Sequence, residues 1–156
     1  MKADPADTQA LQESALRLLT ARSRSAAELR EALLQRGFLP ELVDELVRRW
    51  LEVDLLNDRR YAADFTAYSR RQLRSDRVIR LELRKRGVCE ADIESALEGE
   101  ADEFGRAMEL AARRAKSLAG LPADTAYRRL AGALARRGFS PEVVAQVVKA
   151  SLAQSG

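Results

Sequence analysis

Leu29-Arg30-Glu31-Ala32-Leu33-Leu34-Gln35-Arg36-Gly37-Phe38 decides the fold, because its frame returns twice more in the chain. Ile79 to Val88 and Leu130 to Phe139 repeat it, with Arg86-Gly87 and Arg137-Gly138 offset from Arg36-Gly37 by steps of 50 and 51 residues. Eight residues before each Gly stand Leu29, Ile79 and Leu130; four before it stand Leu33, Leu83 and Leu134. Six after it come Val43, Ile93 and Val144, and ten after it Val47, Leu97 and Val148. Apolar residues four apart share one helix stripe, and a Gly directly after an Arg-ending segment suits the left-handed position that closes a helix. The frame thus spans two helix faces and the turn between them, and marks an internal repeat.

Working outward, each Gly ends a helix and the next begins within a few residues. Ser140-Pro141-Glu142 shows how: a side-chain oxygen caps, Pro fits the first turn, and Glu complements the positive helix end. Pro40-Glu41 does the same less fully. Upstream, Ser25-Ala26-Ala27-Glu28 has the spacing of a capping box, and Ser75 is its counterpart in the second unit. Ahead of these lies a further apolar-periodic stretch in every unit: Leu11 to Ala21, Arg59 to Leu73 with Asp58 as the cap candidate, and Arg106 to Leu118. Three helices per unit make nine, in units 11–56, 57–104 and 105–152 behind a flexible segment 1–10. The fold class is all-α, built of tandem helix-turn-helix-like repeats. A lone unit of this size would bury only ~60% of its unfolded surface, so stacking or a shared core is expected. No segment shows sustained strand-type alternation.

Composition excludes most chemistry. The chain has no histidine, which removes the commonest general base and metal ligand. Its glycines stand singly, so no Gly-rich phosphate cradle exists. The 24 carboxylates scatter over helix surfaces and nominate no acid/base pair. No catalytic residue, cofactor site or metal site is expected; the chain does not read as an enzyme. The single cysteine, Cys89, sits level with Leu39 and Ser140 at a helix link and reads as structural. No apolar run reaches the ~20 residues of a membrane span, and Met1 to Asp7 lacks a signal-peptide core, so the expected location is the cytoplasm.

Charge is distributed unevenly. Residues 105–156 carry nine Lys/Arg against three Asp/Glu, while the two earlier thirds are near balance. Within the middle unit, Arg70, Arg71, Arg74, Arg77, Arg80, Arg84, Lys85 and Arg86 precede an acid tract of Glu90, Asp92, Glu94, Glu98, Glu100, Asp102 and Glu103. Only four of the 27 cations are Lys, and the Arg fork pairs with phosphate or carboxylate more specifically than an ammonium does. Arginine is common on solvated helix faces, so any one of them carries little. Arg77, Arg80 and Arg84 together share a face beside the buried stripe of Ile79 and Leu83. Groove-reading in the manner of a DNA-binding helix-turn-helix is disfavoured, because the helix after the turn is acidic in the first two units and mainly Val and Ala in the third. Aromatic residues are too few for a base-stacking platform.

At this point the sequence resembles the RecX family, regulators of the RecA recombinase, over about residues 11–152. The resemblance lies in Ala15 to Leu19 leading to Arg22-Ser23-Arg24-Ser25, in Glu28-Leu29-Arg30, and in Leu55-Leu56-Asn57-Asp58-Arg59-Arg60-Tyr61-Ala62 followed by Phe65. Glu82 to Gly87 and Arg136-Arg137-Gly138-Phe139 complete it. Two departures are Ser75-Asp76, where a glycine-containing turn is expected, and Val88, where Ile is usual. The resemblance implies an elongated, curved array of three repeats. It also implies a monomeric regulator that binds the groove of a RecA–single-stranded DNA filament and inhibits its extension, ATPase and strand exchange in recombination and the SOS response, with no small-molecule substrate. Charge and helical phase nominate Arg70, Arg71, Arg74, Arg77, Arg80, Arg84, Lys85, Arg113, Arg114, Arg128, Arg129 and Arg136 as filament or DNA contacts. The repeat nominates Leu29, Leu33, Gly37, Phe38, Ile79, Leu83, Gly87, Leu130, Leu134, Gly138 and Phe139 as structural positions. The alternative is a stand-alone DNA-binding helical module using the Arg70–Arg86 and Arg113–Arg137 clusters; a passive helical scaffold is the third reading.

Overall fold

The structure, a computed structural model, describes residues 4–99 and 102–154; Glu100, counted in the acid tract, lies outside them. The described residues form nine α-helices and no strand. These are α1 Thr8–Ala21, α2 Ala26–Gln35, α3 Pro40–Glu52, α4 Asp58–Arg71, α5 Asp76–Lys85, α6 Glu90–Leu97, α7 Glu103–Leu118, α8 Ala123–Arg136 and α9 Pro141–Gln154.

Local chemistry fixes the boundaries. Asp7 accepts the Ala10 N–H and starts α1 ahead of the expected Leu11. Ser25 and Glu28 form the full reciprocal capping box on α2. Asp58 does not cap α4. Asn57 takes that role, accepting the Arg60 N–H at 2.9 Å, because the Asp58 carboxylate is engaged elsewhere. Asp102 caps α7 through Gly105 N–H at 2.8 Å, so this helix starts at Glu103 and not at Arg106. Ser140 receives the Val143 N–H at 3.3 Å ahead of Pro141.

Each Arg-Gly turn closes its helix in the same way. Gly37, Gly87 and Gly138 have φ of 93°, 79° and 93°, left-handed values that glycine adopts at little steric cost. The following N–H of Phe38, Val88 or Phe139 then reaches back to the carbonyl of Leu33, Leu83 or Leu134 at 3.4, 3.1 and 3.3 Å. This is the hydrogen bond of a Schellman ending, with Phe38 and Phe139 adding a buried side chain below the turn.

The chain divides into two compact units, Met1–Asp64 with Leu83–Ala96 and Phe65–Glu82 with Leu97–Gly156. In the first, α1, α2 and α3 pack around Leu11, Leu18, Leu29, Leu33, Phe38, Val43 and Leu46. In the second, α7, α8 and α9 pack around Leu110, Leu130, Leu134, Phe139, Val147 and Val148, with Leu73 joining them. Ile79, Leu83 and Ile93 are each fully buried. After the turn the buried stripe drifts. Val43 and Leu46 face the core in α3 with Val47 half-buried, whereas in α9 Val147 and Val148 do so and Val144 is half-buried. A 3.6-residue period allows either spacing.

Both units contain the same joint between successive repeats. In the first, the Ser25 hydroxyl donates to the Arg86 carbonyl at 2.5 Å, and the Asp58 carboxylate accepts the Ala26 N–H at 2.8 Å. In the second, the Ser75 N–H donates to the Arg137 carbonyl at 3.0 Å, and the Glu103 carboxylate accepts the Asp76 N–H at 2.8 Å. An Arg-Gly carbonyl and an acid opening a first helix thus meet the start of the preceding middle helix. Ser25 and Ser75 are fully buried there. Burial pushes the Asp58 carboxyl up, since the single N–H only partly offsets its lost hydration.

Candidate functional site

The second joint takes two cations, Arg70 and Arg106, out of the reach of any partner. Arg70 clamps Asp76 with two hydrogen bonds, 3.0 and 2.8 Å, and its fork also touches the Leu97 carbonyl. Arg106 bonds the other side of the pair, 2.9 Å to Asp76 Oδ1 and 2.7 Å to the Arg74 carbonyl. All three side chains are mostly buried. Burial pushes the Asp76 carboxyl up, but the hydrogen bonds from Arg70 and Arg106 outweigh it and hold the group below the usual carboxylate range. Sequence reading nominated Arg70 as a contact and gave Arg106 no role. No local signal pairs Arg106 with an acid 30 residues earlier.

The other nominated residues of the middle unit divide. Arg84 pairs with Glu90 at 2.5 Å, and Arg80 is also partnered. Arg71, Arg77 and Lys85 are exposed, and Arg74 is half-buried. Lys85 lines a shallow depression whose other charges, Arg22, Arg24, Glu28, Glu31 and Arg86, include both signs. Beside it the Arg86 guanidinium meets the Tyr61 hydroxyl at 2.6 Å.

The third repeat is different. Arg113 pairs with Glu109 along α7 at 2.7 Å. The neighbouring Arg114 joins Arg128, Arg129 and Arg136 of α8 around one depression of about 610 Å³, completed by Ser117, Leu118, Thr125 and Leu130. No acid lines it. Arg114, Arg128, Arg129 and Arg136 are exposed and form no ion pair among the described residues. Thr125, Arg129, Gly132 and Arg136 are spaced four, three and four along α8, so they form one stripe beside the buried Ala126, Leu130 and Leu134. Ser117, Thr125 and Gly132 were not singled out as site residues, although the four-residue steps to Arg129 and Arg136 were legible.

Comparison with known proteins also finds three-helix domains along the chain. RecX family profiles match the chain three times: the first three-helix domain over residues 13–49, the second over 57–97 and the third over 101–148. The chain belongs to the RecX family. Its relatives include the regulatory protein RecX of Streptomyces coelicolor, 38% identical over 90% of this chain and 77% of that protein. The Mycobacterium marinum regulatory protein RecX is 39% identical over 96% of this chain and 89% of its own length. Among solved structures, RecX from Lactobacillus salivarius superposes with a TM-score of 0.75 at 20% identity, covering 92% of this chain and 96% of that one. That likeness shows the shared RecX fold: all-α, with tandem three-helix repeats.

Proposed function

We propose that this chain is a non-enzymatic regulator that binds the RecA–single-stranded DNA filament along its groove and inhibits filament extension, ATPase and strand exchange. The observation that carries the reading is the match of all three domains, in order, to a family whose relatives are named regulatory proteins. Among the described residues no group of three or more His, Cys, Asp or Glu could hold a metal. No helix of the described residues is long and apolar enough to cross a membrane. The repeats 11–56, 57–104 and 105–152 supply successive surfaces, which suits a partner that is itself repetitive. Arg71, Arg77, Lys85, Arg114, Arg128, Arg129 and Arg136 are the contacts most available to it. The protein acts as a monomer in the cytoplasm.

Titration into a RecA ATPase assay on single-stranded DNA tests this. Inhibition at or below one protein per RecA protomer is expected, together with slower strand exchange. Unchanged ATPase at stoichiometric amounts overturns the proposal.

A further inference from the structure

The depression between α7 and α8 has a chemistry that the filament reading does not itself specify. Four guanidinium groups, from Arg114, Arg128, Arg129 and Arg136, surround it without an acid to balance them, and Leu118 and Leu130 form an apolar floor. Like charges gathered on a partly apolar surface repel one another unless an anion occupies the space between them. Arginine forks bind phosphate oxygens in pairs, and the Thr125 hydroxyl at the same depression is a further donor, whereas the Ser117 hydroxyl already donates to the Arg114 carbonyl at 2.8 Å.

Gly132 sharpens the case. It lies within α8, where glycine is a poor helix former. A Cβ at this position would stand 3.2 Å from Arg136 Nη1, so the missing side chain leaves room for the Arg136 guanidinium one turn back along α8. A residue that breaks the local helix rule while shaping a charged surface is the pattern of a binding site.

The extent of the site selects the ligand. Arg128 to Arg136 covers about 12 Å of helix at 1.5 Å per residue, more than one phosphate of a strand carrying a charge every ~3.4 Å. A polymer of phosphates fits better than a single one. No aromatic, Asn or Gln side chain lines the depression, so nothing there stacks on or reads a base. In α9, the helix after the turn, Lys149 is the one cation, so this repeat is not built to enter a groove helix-first.

We propose that the α7–α8 depression binds the phosphodiester backbone of nucleic acid without regard to sequence, and that this contact holds the third repeat on DNA. The assignment stands on the geometry of these side chains; its place in a RecA regulator rests on the function proposed above. Arg70, Arg84 and Arg106, for all their charge, are left out, because each already holds a carboxylate.

The test uses the full chain, first on DNA without RecA and then on a RecA-coated single strand. Affinity for fluorescein-labelled oligothymidylate, mixed-sequence single strands and duplex is measured by anisotropy across about 50 to 200 mM salt. The variant R114A/R128A/R129A/R136A is compared with R17A/R36A/R49A/R59A, which removes the same charge from exposed positions of α1, α3 and α4 and from the end of α2. Loss of four phosphate contacts reduces the log–log salt slope by about 2.8 on single strands, or about 3.6 on duplex, so the two arms also say which form occupies the site. The control is expected to keep its slope, and R114K/R128K/R129K/R136K to keep the slope while losing affinity, guarding against a misfolded alanine variant. An unchanged slope in the alanine variant, or an equal fall in the control, overturns the inference. So does a variant that keeps its DNA affinity but loses its hold on the RecA-coated strand, which would make the depression a protein contact. Absence of any effect of the unmodified protein on RecA ATPase would sink the filament reading and leave the DNA result standing.

Discussion

The three turn glycines occupy one position of the repeat, yet they have different neighbours. At Gly37 an added Cβ would meet nothing within 4 Å, so Gly37→Ala carries only the left-handed backbone cost of roughly 1–2 kcal/mol. At Gly87 it would overlap the Ala27 side chain, and at Gly138 the side chains of Val78 and Ser75. Gly87→Ala and Gly138→Ala should therefore lose more stability than Gly37→Ala in chemical denaturation, by at least a further ~1 kcal/mol of overpacking. Equal losses at all three would mean that the turns do not dock. Asp76 gives a second residue-scale prediction. Its carboxyl titrates below an unfolded aspartate, so the stabilisation is complete above pH ~4 and is lost as the pH falls through the folded value. Asp76→Asn should flatten that acid limb. Asp76→Ala, which strands Arg70 and Arg106, should cost on the order of 3 kcal/mol at neutral pH. The existence of the Arg-Gly turns was legible because a glycine after a helical run has a local cause. Their docking was not, since Arg86 and Ser25 are 61 residues apart.

Among the helices, those whose ends carry their own caps were the ones best read from sequence. The Ser25 capping box and the Ser140-Pro141 start needed no tertiary information, because donor and acceptor lie within three residues. Asp58 misled for the opposite reason: its partner, Ala26, belongs to an earlier helix, and the neighbouring Asn57 was free to cap. The arginines divide along the same line. Helical phase places Arg129 and Arg136 on one stripe, but only the folded chain shows that Arg113 turns to Glu109 while Arg114 does not. Gly132 is where α8 departs from helix propensity. Its one close neighbour is the flexible end of Arg136, so Gly132→Ala should raise stability by up to about 1 kcal/mol, read as a higher denaturation midpoint. Destabilisation would mean that the guanidinium cannot move aside.

At the scale of the whole molecule, the repeats differ in what they offer each other. The middle repeat carries both halves of the joint: Ser75 and the Asp76 N–H receive the third repeat, while Asp58 and the Arg86 carbonyl attach to the first. The first repeat presents only the receiving half, which is why Gly37 stands in open space. In the third, the register position of Ser25 and Ser75 falls on Ala126, inside an α8 of 14 residues where α2 and α5 have 10. There the hydroxyl is absent, and the Ala126 N–H is spent inside the helix on the Pro122 carbonyl at 2.9 Å, so neither donor used at the two joints is free. Joints of this kind make the chain resemble a coupling with a plug on one side and a socket on the other, and only the central piece has both. A second copy of residues 57–104 inserted after the first should therefore join and fold, with mean residue ellipticity unchanged and a single unfolding transition; a second copy of 105–152 placed after the third should remain a separate, less stable unit. Lengthening by duplication is open to this architecture at its middle and closed at its third repeat.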